Sequence, residues 1–307
     1  MAVFSDQAET VSDLRGKKLL LVCGAARSGT TMLDLMLGNS DDAVSTGEVY
    51  AVYRPYRIHH RNPECSCGEI NCPSWAGLLD VRESSFHSNI FRQRPNINVV
   101  VDSSKDLRWV LDSNVWAYQT GLAVENIVIW KNPIELSYSY WRRGEKVDWY
   151  RKEFVRYYGR FLELELPFLA VNYRDLVTDS SATLERLCKR IGIECDANRV
   201  NFWEKRHHHF FGSAGTRGQV GSDQGQVRYQ AEYPQEFLEL FAEEEKRIKD
   251  DRKFSHIVES LMGHDISQKP VDATTAYLTS RRPAWYFRHK IKALWWKHFP
   301  QRSSVVQ

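Results

Sequence analysis

The stretch "CGAARSGTT", Cys23 to Thr31, sets two glycines five positions apart and follows them with two hydroxyl side chains. That is the outline of a phosphate-binding loop, G-x-x-x-x-G-K-[ST], with Thr30 where the lysine belongs. Backbone N–H groups in such a loop, and the positive end of the helix behind it, attract an anion. In kinases and triphosphatases the loop lysine reaches the β- and γ-phosphates. Here the nearest cation is Arg27, inside the loop. The pattern therefore suits a nucleotide with one 5′-phosphate, whose bridging oxygen needs a positive charge beside it. Further candidates are Lys105 in "VDSSKD", Lys131 in "WKNP", and Glu48 in "STGEVY" as a carboxylate base. His59 and His60 are alternative bases, because an imidazole ordinarily titrates near neutrality.

Chemistry at these positions needs elements that bring them together. Leu19 to Cys23 is a continuous apolar run and reads as a buried strand of a parallel sheet. Thr30 to Leu37 has helical apolar spacing directly after the glycines. "INVVVDSSK" (97–105), "ENIVIWKNP" (125–133) and "FLAVNYRDL" (168–176) read as three more strands. "IELSYSYWRR" (134–143) and Ser181 to Ile191 read as helices. Alternation of strands and helices predicts an α/β domain, a parallel sheet flanked by helices. Ligands of such sheets bind beyond the carboxyl ends of the strands, where all the polar tips fall.

The chain has 307 residues, 42% of them hydrophobic, which suits one large domain with a real core. We divide it into a flexible N-terminus (1–16), an α/β domain (17–265), a linker (266–280) and a basic aromatic tail (281–307). Arg281, Arg282, Arg288, Lys290, Lys292, Lys297 and Arg302 lie in that tail, and no acidic residue follows Asp272. The formal net charge of +3 is thus a basic tail on a mildly acidic body. That excludes a duplex-DNA binder, which needs a basic face on the folded part. The N-terminus has no signal-peptide apolar stretch, and the expectation is a cytoplasmic protein.

"AARSGTT", then "VDSSKD" and "WKNPIELSYS" on successive strands, resemble the sulfotransferases that use 3′-phosphoadenosine 5′-phosphosulfate (PAPS) over about residues 17–230. The resemblance implies that Arg27, Ser28, Gly29, Thr30 and Thr31 hold the 5′-phosphosulfate. Lys131 and Ser139, eight apart, match the pair for the 3′-phosphate. The family usually has arginine at the first of these, and lysine neutralises phosphate without a bidentate fork. Lys105 falls where the family keeps a lysine. The histidine base that cytosolic members carry two residues later is Leu107 here. Glu48, 21 residues after Arg27, matches the catalytic glutamate of the tyrosylprotein sulfotransferases, although their following arginine is replaced by Tyr50. The resemblance further implies a late glycine-rich loop closing on the 3′-phosphate, for which Arg217 is the first choice and Arg228 the second. PAPS is the implied co-substrate, with no catalytic metal, and the implied partner is a hydroxyl-bearing acceptor such as a glycan or lipid-linked glycan.

Three features stand apart. Cys65, Cys67 and Cys72 share one loop with His59 and His60 upstream, which are residue types for zinc. Their C-x-C-x₄-C spacing is not the usual C-x₂-C pair, no fourth ligand is forced, and a disulfide is the other reading. "HHHFF" (207–211) falls in a segment, 206–230, that reads as a surface loop. The tail "PAWYFRHKIKALWWKHFP" patterns as a basic amphipathic helix, suited either to an anionic membrane surface at the inner leaflet or to packing on the body. The acceptor pocket is expected from segments 48–95 and 140–165. Two rivals to sulfuryl transfer are a small-molecule kinase using Asp102 for Mg²⁺ and a non-catalytic glycan-binding protein. A small-molecule or phenol acceptor is the other option within sulfuryl transfer.

Overall fold

The computed structural model describes residues 14–69, 71–222, 225–230, 232–268, 283, 285 and 286. Its centre is a sheet of five parallel strands in the order β2-β3-β1-β4-β5: β1 Lys18–Cys23, β2 Ala43–Ser45, β3 Val99–Asp102, β4 Ala123–Trp130 and β5 Leu169–Asn172. β1 pairs with β3 on one side and β4 on the other. The connection leaving β1 runs to β2 on one side and that leaving β4 runs to β5 on the other, so the two diverge between the carboxyl ends of these neighbouring strands, the place where α/β sheets open a crevice.

β1 shows why the run is apolar throughout. Leu19, Leu21 and Cys23 pack into one core, and Leu20 and Val22 into the other. The second core is closed by α1 (Thr30–Leu37), α7 (Tyr173–Thr178) and α8 (Ser180–Ile191). The first holds α3 (Phe86–Gln93), α4 (Leu107–Thr120), α5 (Pro133–Trp141), α6 (Trp149–Leu162), α10 (Gln235–Asp250) and α11 (Arg252–Gly263). Two short helices complete the set, α2 (Tyr50–Tyr53) and α9 (Ala214–Arg217). Burying each large aliphatic side chain of the strands contributes roughly 1.5–3 kcal/mol.

The α/β architecture agrees with the sequence reading, and several boundaries move for local reasons. The strand read through Leu176 stops at Asn172, whose side chain accepts the Arg174 N–H at 2.9 Å and so starts α7. The strand read through Pro133 stops at Trp130, and the Asn132 N–H donates to Glu135 Oε2 at 3.1 Å as α5 begins. β2 has three residues, too few to show an alternation, and was not foreseen. Segment 140–165, expected to shape an acceptor pocket, is mostly α6, whose Tyr150, Phe154, Tyr158 and Phe161 are core residues. Segment 206–230 is not wholly a surface loop. Phe210 is buried and bridges both Gly47 and Cys65.

Most of the tail lies outside the described residues. At its start Tyr286 is 1% exposed, with its hydroxyl on Asp112 Oδ1, and Trp285 Nε1 donates to Glu163 at 3.0 Å. Among the described residues no helix is long and apolar enough to cross a membrane.

Two tyrosines of α6 hold the end of β1. The Tyr158 hydroxyl donates to the Ile129 carbonyl at 2.9 Å and accepts the Ala25 N–H at 3.2 Å, while Tyr157 accepts the Gly24 N–H at 3.0 Å. Tyr158→Phe strands a buried amide and a buried carbonyl, at about 1–3 kcal/mol. Urea unfolding of the two forms should show that loss, with the slope on denaturant unchanged.

Candidate functional site

Beyond β1 the chain turns through Gly24–Gly29 into α1. Gly29 makes the turn at φ 105°, and an added Cβ would stand 2.6 Å from the Tyr173 ring. α1 thus begins with its first N–H groups lacking intrahelical partners, a ready site for an anion. Around this point lies a cleft of about 590 Å³, within the range of small-molecule pockets.

Arg27, Gly29, Thr30, Thr31, Glu48, Lys105, Lys131, Ser139 and Arg217 all line it. They arrive from the β1 loop, the tip of β2, the tip of β3, the end of β4, α5 and α9. Ser28 does not line the cleft, since its side chain is buried beneath the loop. Leu107, where a histidine base would stand, is packed in the core. Arg228 is not a lining residue.

Three of the four non-glycine residues with left-handed backbone, among those described, are here: Arg27 at φ 73°, Lys105 at 61° and Phe211 at 56°. Such conformations cost energy and persist where the surroundings impose them, which is typical of working sites. Arg27 Nε is directed at Ser139 Oγ, 3.4 Å away. Burial, with Arg143 nearby, pulls the Arg27 pKa below its usual value. Lys105 Nζ donates to Glu48 Oε1 at 2.5 Å, a close ion pair that is only partly exposed. Lys131 has its Nζ 3.8 Å from the centre of the Tyr173 ring. Burial pushes its pKa down to about 8, Glu135 opposing this and Arg27 adding to it. Arg217 Nε is buried and has no partner among the described residues.

A second segment lies over the helix end. The Ser213 N–H donates to Thr31 Oγ1 at 2.9 Å, and a Cβ on Gly212, at φ 97°, would meet Thr31 at 3.0 Å. Just before it, the Glu48 N–H donates to the Phe210 carbonyl at 2.8 Å. On the far wall stand Tyr56, His59, His60 and Phe211. Burial, then His59 and Arg57, pull the His60 pKa down to about 4, and its Nδ1 accepts the Tyr56 N–H at 3.4 Å. A pKa that low keeps His60 neutral near pH 7.

Sequence reasoning missed Tyr157, Tyr158 and Tyr140, which brace the loop through hydroxyls. Their signal is only two tyrosine-rich helices, α5 and α6, which read as core. It also missed the splitting of His207, His208 and His209. His207 Nε2 donates to the Phe202 carbonyl at 2.8 Å, His208 faces Cys72, and His209 is buried with neither ring nitrogen partnered among the described residues. Asp102, the acid a kinase would need for Mg²⁺, is 1% exposed and does not line the cleft. Its Oδ2 accepts from Trp109 Nε1 at 2.7 Å and lies 2.9 Å from His87 Nε2, and its Oδ1 accepts the Ser104 N–H. Glu48 is the one carboxylate lining the cleft among the described residues.

No protein-family model and no curated protein matches the chain. Solved structures similar to it include the sulfotransferase domain of an olefin synthase from Synechococcus PCC 7002, at 14% identity and a TM-score of 0.43, over 75% of this chain and 94% of that one. The sulfotransferase domain of the curacin biosynthetic pathway is 13% identical with a TM-score of 0.46, over 75% and 98% of the two chains. A sulfotransferase from Alicyclobacillus acidocaldarius is 14% identical with a TM-score of 0.42, over 84% and 97%.

The lowered pKa of Lys131 gives a testable sign. Below about 8 the ammonium is charged, above it neutral, and a bound anion favours the charged form. Affinity for an anionic nucleotide should fall as pH rises through 8, with proton uptake on binding between pH 8 and 9. Calorimetry in two buffers of different ionisation enthalpy measures that uptake, and Lys131→Met should remove it.

Proposed function

We propose that this chain is a sulfotransferase that moves the sulfuryl group of PAPS to a hydroxyl of an acceptor by in-line displacement. The observation that carries this reading is the meeting of Arg27, Lys105, Lys131 and Arg217 around the start of α1, with one carboxylate, Glu48, set against Lys105. Several cations and a single carboxylate match a nucleotide with anionic groups at both its 5′ and 3′ positions, joined to an acceptor that must lose a proton. The loop amides, Thr30, Thr31 and Arg27 suit the 5′-phosphosulfate, and Lys131, Ser139 and Arg217 the 3′-phosphate.

In this mechanism Glu48 accepts the proton of the acceptor hydroxyl as its oxygen bonds to sulfur. The bond from sulfur to the 5′-phosphate oxygen breaks, and its electron pair stays on that oxygen. Arg27 and Lys105 stabilise the charge that develops there, as Mg²⁺ does in kinases. The products are a sulfate ester and 3′,5′-ADP. Glu48 must exchange Lys105 for the acceptor hydroxyl, and the freed lysine then turns toward the departing phosphate.

For the acceptor we favour a carbohydrate or glycolipid hydroxyl, because Tyr56, His59 and Phe211 offer ring faces along the open wall. The tail past Tyr286 is proposed to meet the anionic inner leaflet, where a lipid-linked glycan would be presented.

Calorimetry should show 3′,5′-ADP binding without Mg²⁺ and much weaker ATP binding; ATP binding that requires Mg²⁺, with none for 3′,5′-ADP, would reverse the assignment to a kinase. With ³⁵S-labelled PAPS and a panel of glycans, glycolipids and phenols, Arg27→Ala should abolish transfer. Glu48→Gln should lower kcat by about 10²–10⁴-fold while leaving 3′,5′-ADP affinity nearly unchanged. A wild-type chain that binds glycans yet transfers no sulfate would leave only the binding-protein reading. Deleting 287–307 should shift the protein from the membrane to the soluble fraction, and an unaltered distribution rejects the leaflet contact.

A further inference from the structure

The cysteine loop gains a partner that sequence spacing did not supply. His208 Nδ1 lies 3.1 Å from Cys72 Sγ and 3.7 Å from Cys65 Sγ. With Cys67 included, the four ligand atoms all lie within 4.8 Å of one another. A tetrahedral zinc ion with Zn–S near 2.3 Å and Zn–N near 2.0 Å separates its ligand atoms by roughly 3.6–3.8 Å. The group thus needs adjustments of about an ångström or less to close around an ion. We propose that Cys65, Cys67, Cys72 and His208 form a structural Zn²⁺ site.

The donor set argues for this metal and this role. Three thiolates and an imidazole are soft and borderline ligands, the set that zinc takes in preference to magnesium or calcium. Four protein ligands leave no open position, which is the mark of a structural site. The imidazole comes from a segment far along the chain, so the ion would cross-link two loops that otherwise share little covalent constraint. Three thiolates on a divalent ion leave one net negative charge. Arg94, beside Cys72, answers it, while Arg206, beside His208, is paired with Glu69 at 3.5 Å. Cys65 and Cys72 are buried and His208 and Cys67 half-buried, so the ion would be shielded without being sealed in.

The location gives the site its purpose. Ser66 Oγ donates to the His207 carbonyl at 2.7 Å, and the Ser66 N–H donates to the His209 carbonyl at 2.9 Å. Two residues on, the Phe210 N–H donates to the Thr46 carbonyl at 3.1 Å, and its own carbonyl receives the Glu48 N–H. The ion therefore pins the strand-like segment that fixes Glu48 on one side and runs on to Phe211, Gly212 and Ser213 on the other. It would hold the carboxylate and the segment over Thr31 in register without touching the reacting atoms.

The test uses the full-length chain purified under reducing conditions without a polyhistidine tag. Elemental analysis should find about one zinc per chain. Titration of the thiols with an organomercurial should release it, as read with a metallochromic dye, and Co²⁺ exchange should give thiolate charge-transfer and tetrahedral d–d absorption. His208→Ala should weaken zinc binding by more than ~100-fold, and His208→Cys should restore it. Cys65→Ser/Cys72→Ser should lose it and lower the thermal midpoint. Wild-type protein without zinc and without a Co²⁺ spectrum overturns the site. So does an intact mass showing a disulfide among these cysteines, or zinc that persists in both variants. The wild-type measurements decide the matter even if a variant fails to fold, and none depends on sulfuryl transfer.

Discussion

The structure depends on one problem of backbone hydrogen bonding. The central strand, buried on both faces, must pass its chain to a helix at a site that water cannot fully reach, and each amide there needs a partner. Gly29 solves the geometry by adopting a backbone that a Cβ would block against Tyr173. Tyr157 and Tyr158 satisfy the first two amides of the loop from outside. The Thr30 and Thr31 amides at the head of α1 are left over, an arrangement that suits an anion. That turn places Arg27, Thr30 and Thr31 at the cleft.

A cleft built this way carries an electrostatic load. Arg27, Arg57, Lys105, Lys131 and Arg217 share it, and Glu48 is the one carboxylate lining it among the described residues. Like charges in a partly desolvated space raise the energy of the empty protein. Burial first, and a neighbouring arginine second, lower the pKa values of Arg27 and Lys131. A ligand with negative charge at both ends relieves the repulsion at several points together, so binding energy is drawn from strain already present. Within the cleft itself Glu48 is paired with Lys105.

Much of this was legible in the sequence, and the reasons differ by residue. β1, β3 and β4 were readable because doubly buried strands need unbroken apolar runs, and β1 supplies five such residues in a row. Arg27, Thr30, Thr31, Lys105 and Lys131 could be placed at the cleft because each sits just beyond a strand or at the head of the helix that follows one, whereas Ser139 was reached only through the family resemblance. β2 was not, since three residues carry no period. The bracing tyrosines were invisible because a hydroxyl that supports a loop and one that merely reaches water have the same letter. Ser28 was over-read for the opposite reason: it lies inside the motif, yet its side chain turns away from the cleft. His208 could not be assigned from spacing, because the contact that brings it to Cys72 joins residues 136 positions apart.

The left-handed backbones at Arg27, Lys105 and Phe211 bear on how the protein can change over generations. Glycine at any of the three would relax the chain, and at the two cations it would also delete a charge. Robustness and chemistry therefore pull against each other at the same codons. Lineages that gain thermal tolerance should collect their substitutions on the outer helices and leave these positions alone, so the least comfortable residues become the slowest to drift.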